Sequence, residues 1–135
     1  MITTMTHVSL HVLNQDSALD FYTNKLGFKV LKDVPMGDGN RWITVSPPDQ
    51  PGFEIILSPV TGSMYSPETT KALRELVQKG TFGAGIFTCY DIFATYEELK
   101  AKGVEFTKAP KKEFYGTEAI FKDDSGNWFS LAQLL

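Results

Sequence analysis

The sequence contains one cysteine, Cys89, which excludes an internal disulfide and makes a reduced setting the default. No apolar run approaches the ~20 residues of a membrane-spanning helix. MITTMTHVSLHV has neither the basic start nor the unbroken apolar stretch of a signal peptide, so a cytoplasmic location is the expectation. Positive charge is not in excess: 13 basic against 16 acidic residues give a formal charge of -3. Nucleic acid and anionic membranes are therefore not expected partners. G-x-S-x-G, C-x-x-C and H-E-x-x-H are all absent. The lone G-x-G of MGDGN lies between strand candidates and reads as a turn, not as a phosphate cradle. DDSGN lacks the length and terminal Glu of a calcium loop and reads as a hairpin turn.

What is present is a repeated pattern. In THVSLHV, Val8, Leu10 and Val12 alternate with His7, Ser9 and His11, the period of a half-buried strand. Asn14 follows as an N-cap, then Ala18, Leu19, Tyr22 and Leu26 at helical spacing, then Gly27 as a C-terminal stop; the spacing predicts a helix over 15–26. Strands are expected at Phe28–Asp33, Arg41–Val45 and Phe53–Ser58. From Gly83 the order recurs: a strand in GAGIFTCY, a helix from the N-cap Asp91 to Lys102, Gly103, then strands at Val104–Lys108, Thr117–Lys122 and Trp128–Gln133. A shift of 76 positions sets Ala18 on Ala94, Gly27 on Gly103 and Glu54 on Ser130. Ser66, Pro67 and Glu68 open an intervening helix that stops at Gly80, and Thr61–Tyr65 ahead of it is expected to be the least ordered segment. The expected organisation is a single α+β domain, residues 1–135, made of two βαβββ modules in tandem (3–60 and 82–134) with a linker helix within 61–81. Each module of about 55 residues is too small to be secure alone, which gives a physical reason for the duplication.

THVSLHV, DFYTNKLGF, FEIIL, EELKAKGVEF and YGTEAIFKDDSGNWFSL, in this order, resemble the vicinal oxygen chelate superfamily of glyoxalase I, bleomycin resistance proteins and extradiol dioxygenases. The resemblance covers nearly the whole chain. It implies curved four-stranded sheets enclosing a cavity, and a homodimer. It also implies a divalent metal in the metal-dependent relatives, held by a residue of the first and last strand of each module. The first pair carries over as His7 and Glu54. In the second module the corresponding positions fall on Ala84, which has no donor atom, and Ser130, a weak one. Two ligands fall short of the roughly three that an open catalytic metal site uses. His11 shares the face of His7 but stands roughly 13 Å along the strand.

By period 2, the helix-covered faces receive Val8, Leu10, Phe53, Ile55, Leu57, Phe87 and Cys89, the last as a packing residue. The opposite faces receive His7, Ser9, His11, Glu54, Ile56, Thr88, Trp128 and Ser130. Glu54, between apolar neighbours in FEIIL, requires either an open cavity or a counter-charge, with Arg41 or a histidine as candidates. Partial dehydration would raise its pKa and suit it to general-base catalysis. Trp42, Trp128, Tyr115 and Met36 are candidates for an apolar wall against a planar ligand, or for core. The expectation is a small-molecule-binding protein of the bleomycin-resistance kind, with His7, His11, Trp42, Glu54, Thr88, Trp128 and Ser130 as ligand-binding residues, and with no cofactor or a weakly bound divalent ion. The alternative is a metal-dependent lyase, isomerase or dioxygenase using His7 and Glu54, with Glu54 as the catalytic group.

Overall fold

The alternation in THVSLHV is realised as β1, His7–Val12, the first strand of a computed structural model that describes all 135 residues. The chain divides into two units, Met1–Glu75 and Leu76–Leu135. Their boundary falls inside the linker helix α2, Pro67–Gln78.

In the first unit α1, Gln15–Asp20, begins at Asn14, whose side chain accepts from the Ser17 amide at 2.9 Å. The regular helix does not reach residue 26 as expected. It widens into a π-helical turn, Phe21–Lys25, and then meets Gly27 in the left-handed region at φ 75. The wider turn lets two consecutive aromatic residues, Phe21 and Tyr22, both be buried, which α-helical spacing would resist. Strands β2 (Lys29–Pro35), β3 (Arg41–Ser46) and β4 (Glu54–Pro59) complete a sheet of order β1-β4-β3-β2, with β1 and β4 parallel and the other pairs antiparallel. Leu10, Val12, Ile43, Val45, Ile55 and Leu57 are buried on the face that α1 covers. Val8 shares their parity but is exposed, because α1 packs on β3 and β4 and leaves the start of β1 uncovered.

Thr61–Tyr65 is not the loose segment anticipated. The amides of Met64 and Tyr65 donate to the Thr61 carbonyl, and the buried Asn40 amide donates to the Thr61 and Ser63 hydroxyls at 3.1 and 2.7 Å. A polar loop far away in sequence thus supplies the partners that local composition lacks. Arg74 of α2 donates to the carbonyls of Leu13 and Val60, anchoring that end of the helix to the first unit.

The second unit repeats the order: β5 (Gly83–Thr88), α3 (Ile92–Ala101), β6 (Glu105–Glu113), β7 (Gly116–Lys122) and β8 (Trp128–Leu134), with sheet order β5-β8-β7-β6. Asp91 caps α3 through the Ala94 amide, and Gly103 ends it at φ 87. β6 runs past its expected end at Lys108 to Glu113, through irregular pairing on both sides of Lys108. The DDSGN turn is held by the Asp123 carboxylate, which accepts from the amides of Ser125, Gly126 and Asn127. Phe87, Phe106, Phe121 and Phe129 stack into the core of this unit. The architecture is two βαβββ modules in tandem, as the repeat implies.

Candidate functional site

Ladder register assigns the polar face of the first sheet. His7 lies opposite Glu54 and Ser9 opposite Ile56, while Thr44 on β3 also faces Ile56. These positions alternate with the buried Ile55, Leu57 and Val45 and therefore face away from α1. At one end His7 Nε2 is 2.9 Å from Glu54 Oε2, and the Thr44 hydroxyl donates to Glu54 Oε1 at 2.7 Å. Thr6 Oγ1 lies 2.8 Å from His7 Nδ1, and the Trp42 ring is tilted against the imidazole at 6.3 Å. At the other end His11 meets the edge of Tyr65.

Glu54 is thus neither lodged in an apolar pocket nor poised as a base. The Thr44 hydrogen bond foremost, with His7 and Lys32 adding positive charge, holds its carboxyl below the ordinary carboxylate range. This overturns the expected upward shift: the hydroxyl donor outweighs desolvation because the side chain keeps some contact with water. The partner in contact with it is the His7 ring. Arg41 is engaged elsewhere, with Asp33 at 3.0 Å and with Asp16.

The second sheet carries a different set on the corresponding face. Trp128 pairs with Gly83, Ser130 with Ile86 and Thr88 with Ala132 on one side, while Ser130 faces Ile120 and Ala132 faces Glu118 on the other. The Trp128 amide donates to the Phe82 carbonyl as the Glu54 amide donates to that of Thr6, and the Ile120–Ser130 pair matches Thr44–Ile56. Trp128, not Ser130, therefore takes the place of Glu54, and Ser130 takes that of Ile56. The constant shift fails because the β3–β4 connection, 47–53, is longer than the β7–β8 connection, 123–127. Ala84 is the extra residue where the β5 register slips.

Among the residues expected at the site, His7, Trp42 and Glu54 come together, and His11 stands apart on the same face. Thr88, Trp128 and Ser130 share the second sheet's face. Thr44 was not anticipated, and neither was a group around Glu118. The Glu118 carboxylate accepts from Lys108 Nζ at 2.8 Å and from the Ser130 hydroxyl, and Lys108 also reaches Glu113 at 3.0 Å. Lys108 and Ser130 hold the Glu118 carboxyl below its usual range; burial and Glu118 push the Tyr115 phenol up. Glu118 in TEAIF follows Thr117 and is apolar-flanked only on its C-terminal side, so the signal that singles out Glu54 in FEIIL is weaker for it.

No three His, Cys, Asp or Glu side chains converge to hold a metal ion. His7 and Glu54 are two donors in direct contact with each other, and the groups around them are hydroxyls and an indole. This donor set does not fit the divalent ion of the metal-dependent relatives. Cys89, as expected, is a packing residue: its thiol contacts the Ala132 carbonyl, and burial pushes its pKa up.

A family model described as the Glyoxalase/Bleomycin resistance protein/Dioxygenase superfamily matches residues 4–131. YurT of Bacillus subtilis (strain 168) is 43% identical over 126 residues, 93% of this chain and 94% of its own length. The crystal structure of UcmS2 is similar at a TM-score of 0.93 with 48% identity, covering 98% of each chain. That of TnmS3, an antibiotic binding protein from Streptomyces sp. CB03234, is similar at a TM-score of 0.77 with 27% identity, covering 99% of this chain and 98% of its own. No helix of this chain is long and apolar enough to cross a membrane.

Proposed function

Since the chain belongs to the Glyoxalase/Bleomycin resistance protein/Dioxygenase superfamily, we propose that it is a cytoplasmic homodimer that binds and sequesters a small, partly apolar organic molecule without a firmly bound metal. The observation that carries this reading is the state of Glu54. Its carboxylate is pinned by Thr44 and His7 and held ionised beside the half-buried Trp42, an arrangement suited to recognition. A fixed anion next to an aromatic plane offers a hydrogen-bond acceptor and an apolar surface to one ligand. A general base needs instead a pKa lifted toward neutrality. The similarity to an antibiotic binding protein supports the same class of function.

The second reading, a divalent-metal lyase, isomerase or dioxygenase, is favoured by the convergence of His7 on Glu54. One assay separates the two. In a thermal-shift screen, aromatic and glycopeptide compounds should raise Tm, and the rise should shrink in Glu54→Ala and Trp42→Ala. Shifts unchanged in both variants would overturn the binding assignment. Nickel, zinc, manganese and iron(II) should leave Tm where it is, and a metal-dependent rise that disappears in His7→Ala would establish the second reading.

A further inference from the structure

We propose that one end of the second unit's sheet, marked by Tyr90, Phe93, Phe114 and Leu134, is the face on which a second copy of this chain docks. This rests on the homodimer of the reading above and gives it a location.

The repeat shows this end to be bare where its counterpart is covered. Asn14 and Asp91 are the equivalent N-caps, so Leu13 corresponds to Tyr90. His11 pairs with Ser58 as Thr88 pairs with Ala132, so Val60 corresponds to Leu134 two residues on. In the first unit Val60 is fully buried, and Arg74 of α2 donates to the Leu13 and Val60 carbonyls at 3.1 and 2.9 Å. In the second unit Tyr90 is 94% exposed and Leu134 58%.

Backbone contacts hold the aromatic residues around Leu134 at this end. Sheet order sets β8 between β5 and β7, so Leu134 lies between the Tyr90 side and the β6–β7 hairpin tip that carries Phe114. Gly116, the register partner of Leu134, has φ 146, and a Cβ there would come within 2.3 Å of the Gln133 carbonyl oxygen; only glycine lets the hairpin tip lie this close to β8. The Leu135 amide donates to the Tyr115 carbonyl, and the Phe114 ring meets that of Tyr115 edge-on at 5.0 Å. On the other side the Cys89 amide donates to the Ala132 carbonyl, and the Gln133 side chain accepts from the Ile92 amide. The first turn of α3, with Phe93, is thereby brought to the same end; Phe93 is 62% and Phe114 91% exposed.

Area and charge select the occupant. Three rings exposed to this degree present roughly 500 Å² of apolar surface, and with Leu134 this reaches the upper end of what a monomer leaves to water. With its polar rim the face approaches the roughly 800 Å² per partner that a stable dimer buries. Asp91 adjoins Tyr90 on one flank. On the other, Glu113 is engaged by Lys108, Lys111 stands opposite Glu118, and Lys112 stands opposite the uncharged Thr117. A two-fold axis that sets Leu134 against Leu134, and Tyr90 of one copy against Phe114 of the other, also sets Asp91 against Lys112 twice. The contact is self-complementary and closed.

Sedimentation equilibrium of the full chain tests this. Tyr90→Ser and Phe114→Ser should each raise the dimer dissociation constant about tenfold or more, and the double variant should be monomeric at micromolar concentration with an unchanged far-ultraviolet circular dichroism spectrum. Lys112→Glu should weaken the dimer less, and Leu31→Asp, on the exposed β2 edge of the first unit, should leave the mass as it is. In a Cys89→Ala background, Leu134→Cys should oxidise to a covalent dimer, whereas Leu31→Cys should not. A wild type that is dimeric, with the double variant equally dimeric and Leu134→Cys not cross-linked, overturns this face while leaving the homodimer and the binding function standing. A monomeric wild type overturns the face and the homodimer together, and leaves ligand binding to the thermal-shift screen. A monomer that instead co-sediments with phosphatidylglycerol vesicles, and loses them in Phe114→Ser, would also overturn it, making this end a membrane contact.

Discussion

The behaviour of Glu54 is decided by a single hydroxyl. A carboxylate beside branched apolar residues is expected to resist ionisation, yet Thr44 donates to one oxygen and His7 meets the other. Ionisation is thereby favoured in the folded state, and Glu118 is treated in the same way by Lys108 and Ser130. A carboxyl whose folded pKa lies below its unfolded value contributes stability that is present above the ordinary carboxylate range and is lost as pH falls through the folded value. The urea midpoint should therefore drop on going from about pH 7 to about pH 3. Replacing Thr44 with Val returns the Glu54 pKa toward its ordinary value and should flatten part of that acid dependence, even though the variant is less stable at neutral pH. An acid limb of the same steepness in wild type and Thr44→Val would refute this account of Glu54. Thr44 itself was not legible as a site residue, because threonine in a strand is ordinary; what singles it out is its diagonal relation to Glu54 across the β3–β4 pair.

At the level of the element, the caps were the most readable features of the chain. Asn14 and Asp91 both accept from the amide three residues on, as their positions ahead of amphipathic stretches predict. Asn14→Ala should cost about 1 kcal/mol of stability, measured as a lower urea midpoint at constant m-value. A loss near zero would mean that the π-helical turn, not the cap, holds this short helix. That turn was not readable, because the sequence around Phe21 and Tyr22 satisfies α-helical spacing; burying both adjacent rings is a demand of the core and not of the local chain. β2 was readable in kind, but its seven residues are all exposed, so its place as an edge strand came from pairing with β3 and not from its own hydrophobicity.

On the scale of the whole molecule, the repeat βαβββ-helix-βαβββ is legible from order alone, and the duplicated sheets confirm it. The expected homodimer is tested by light scattering: a mass of about twice the 15.1 kDa chain at micromolar concentration is the predicted outcome, and a clean monomer would remove the dimer from the functional proposal. The sequence by itself determined the element types, the capping residues and the tandem modules, because these follow from period and from residues adjacent in the chain, whereas the pair of His7 and Glu54 was implied by the family resemblance. Tertiary structure alone decided which groups meet. A two-residue difference in one connection put Trp128, not Ser130, in the place of Glu54, and strand pairing assembled Lys108, Glu118 and Ser130 from three strands. Register between strands is set by turn length and by packing of the covered face, and neither is written in the local pattern of any one strand.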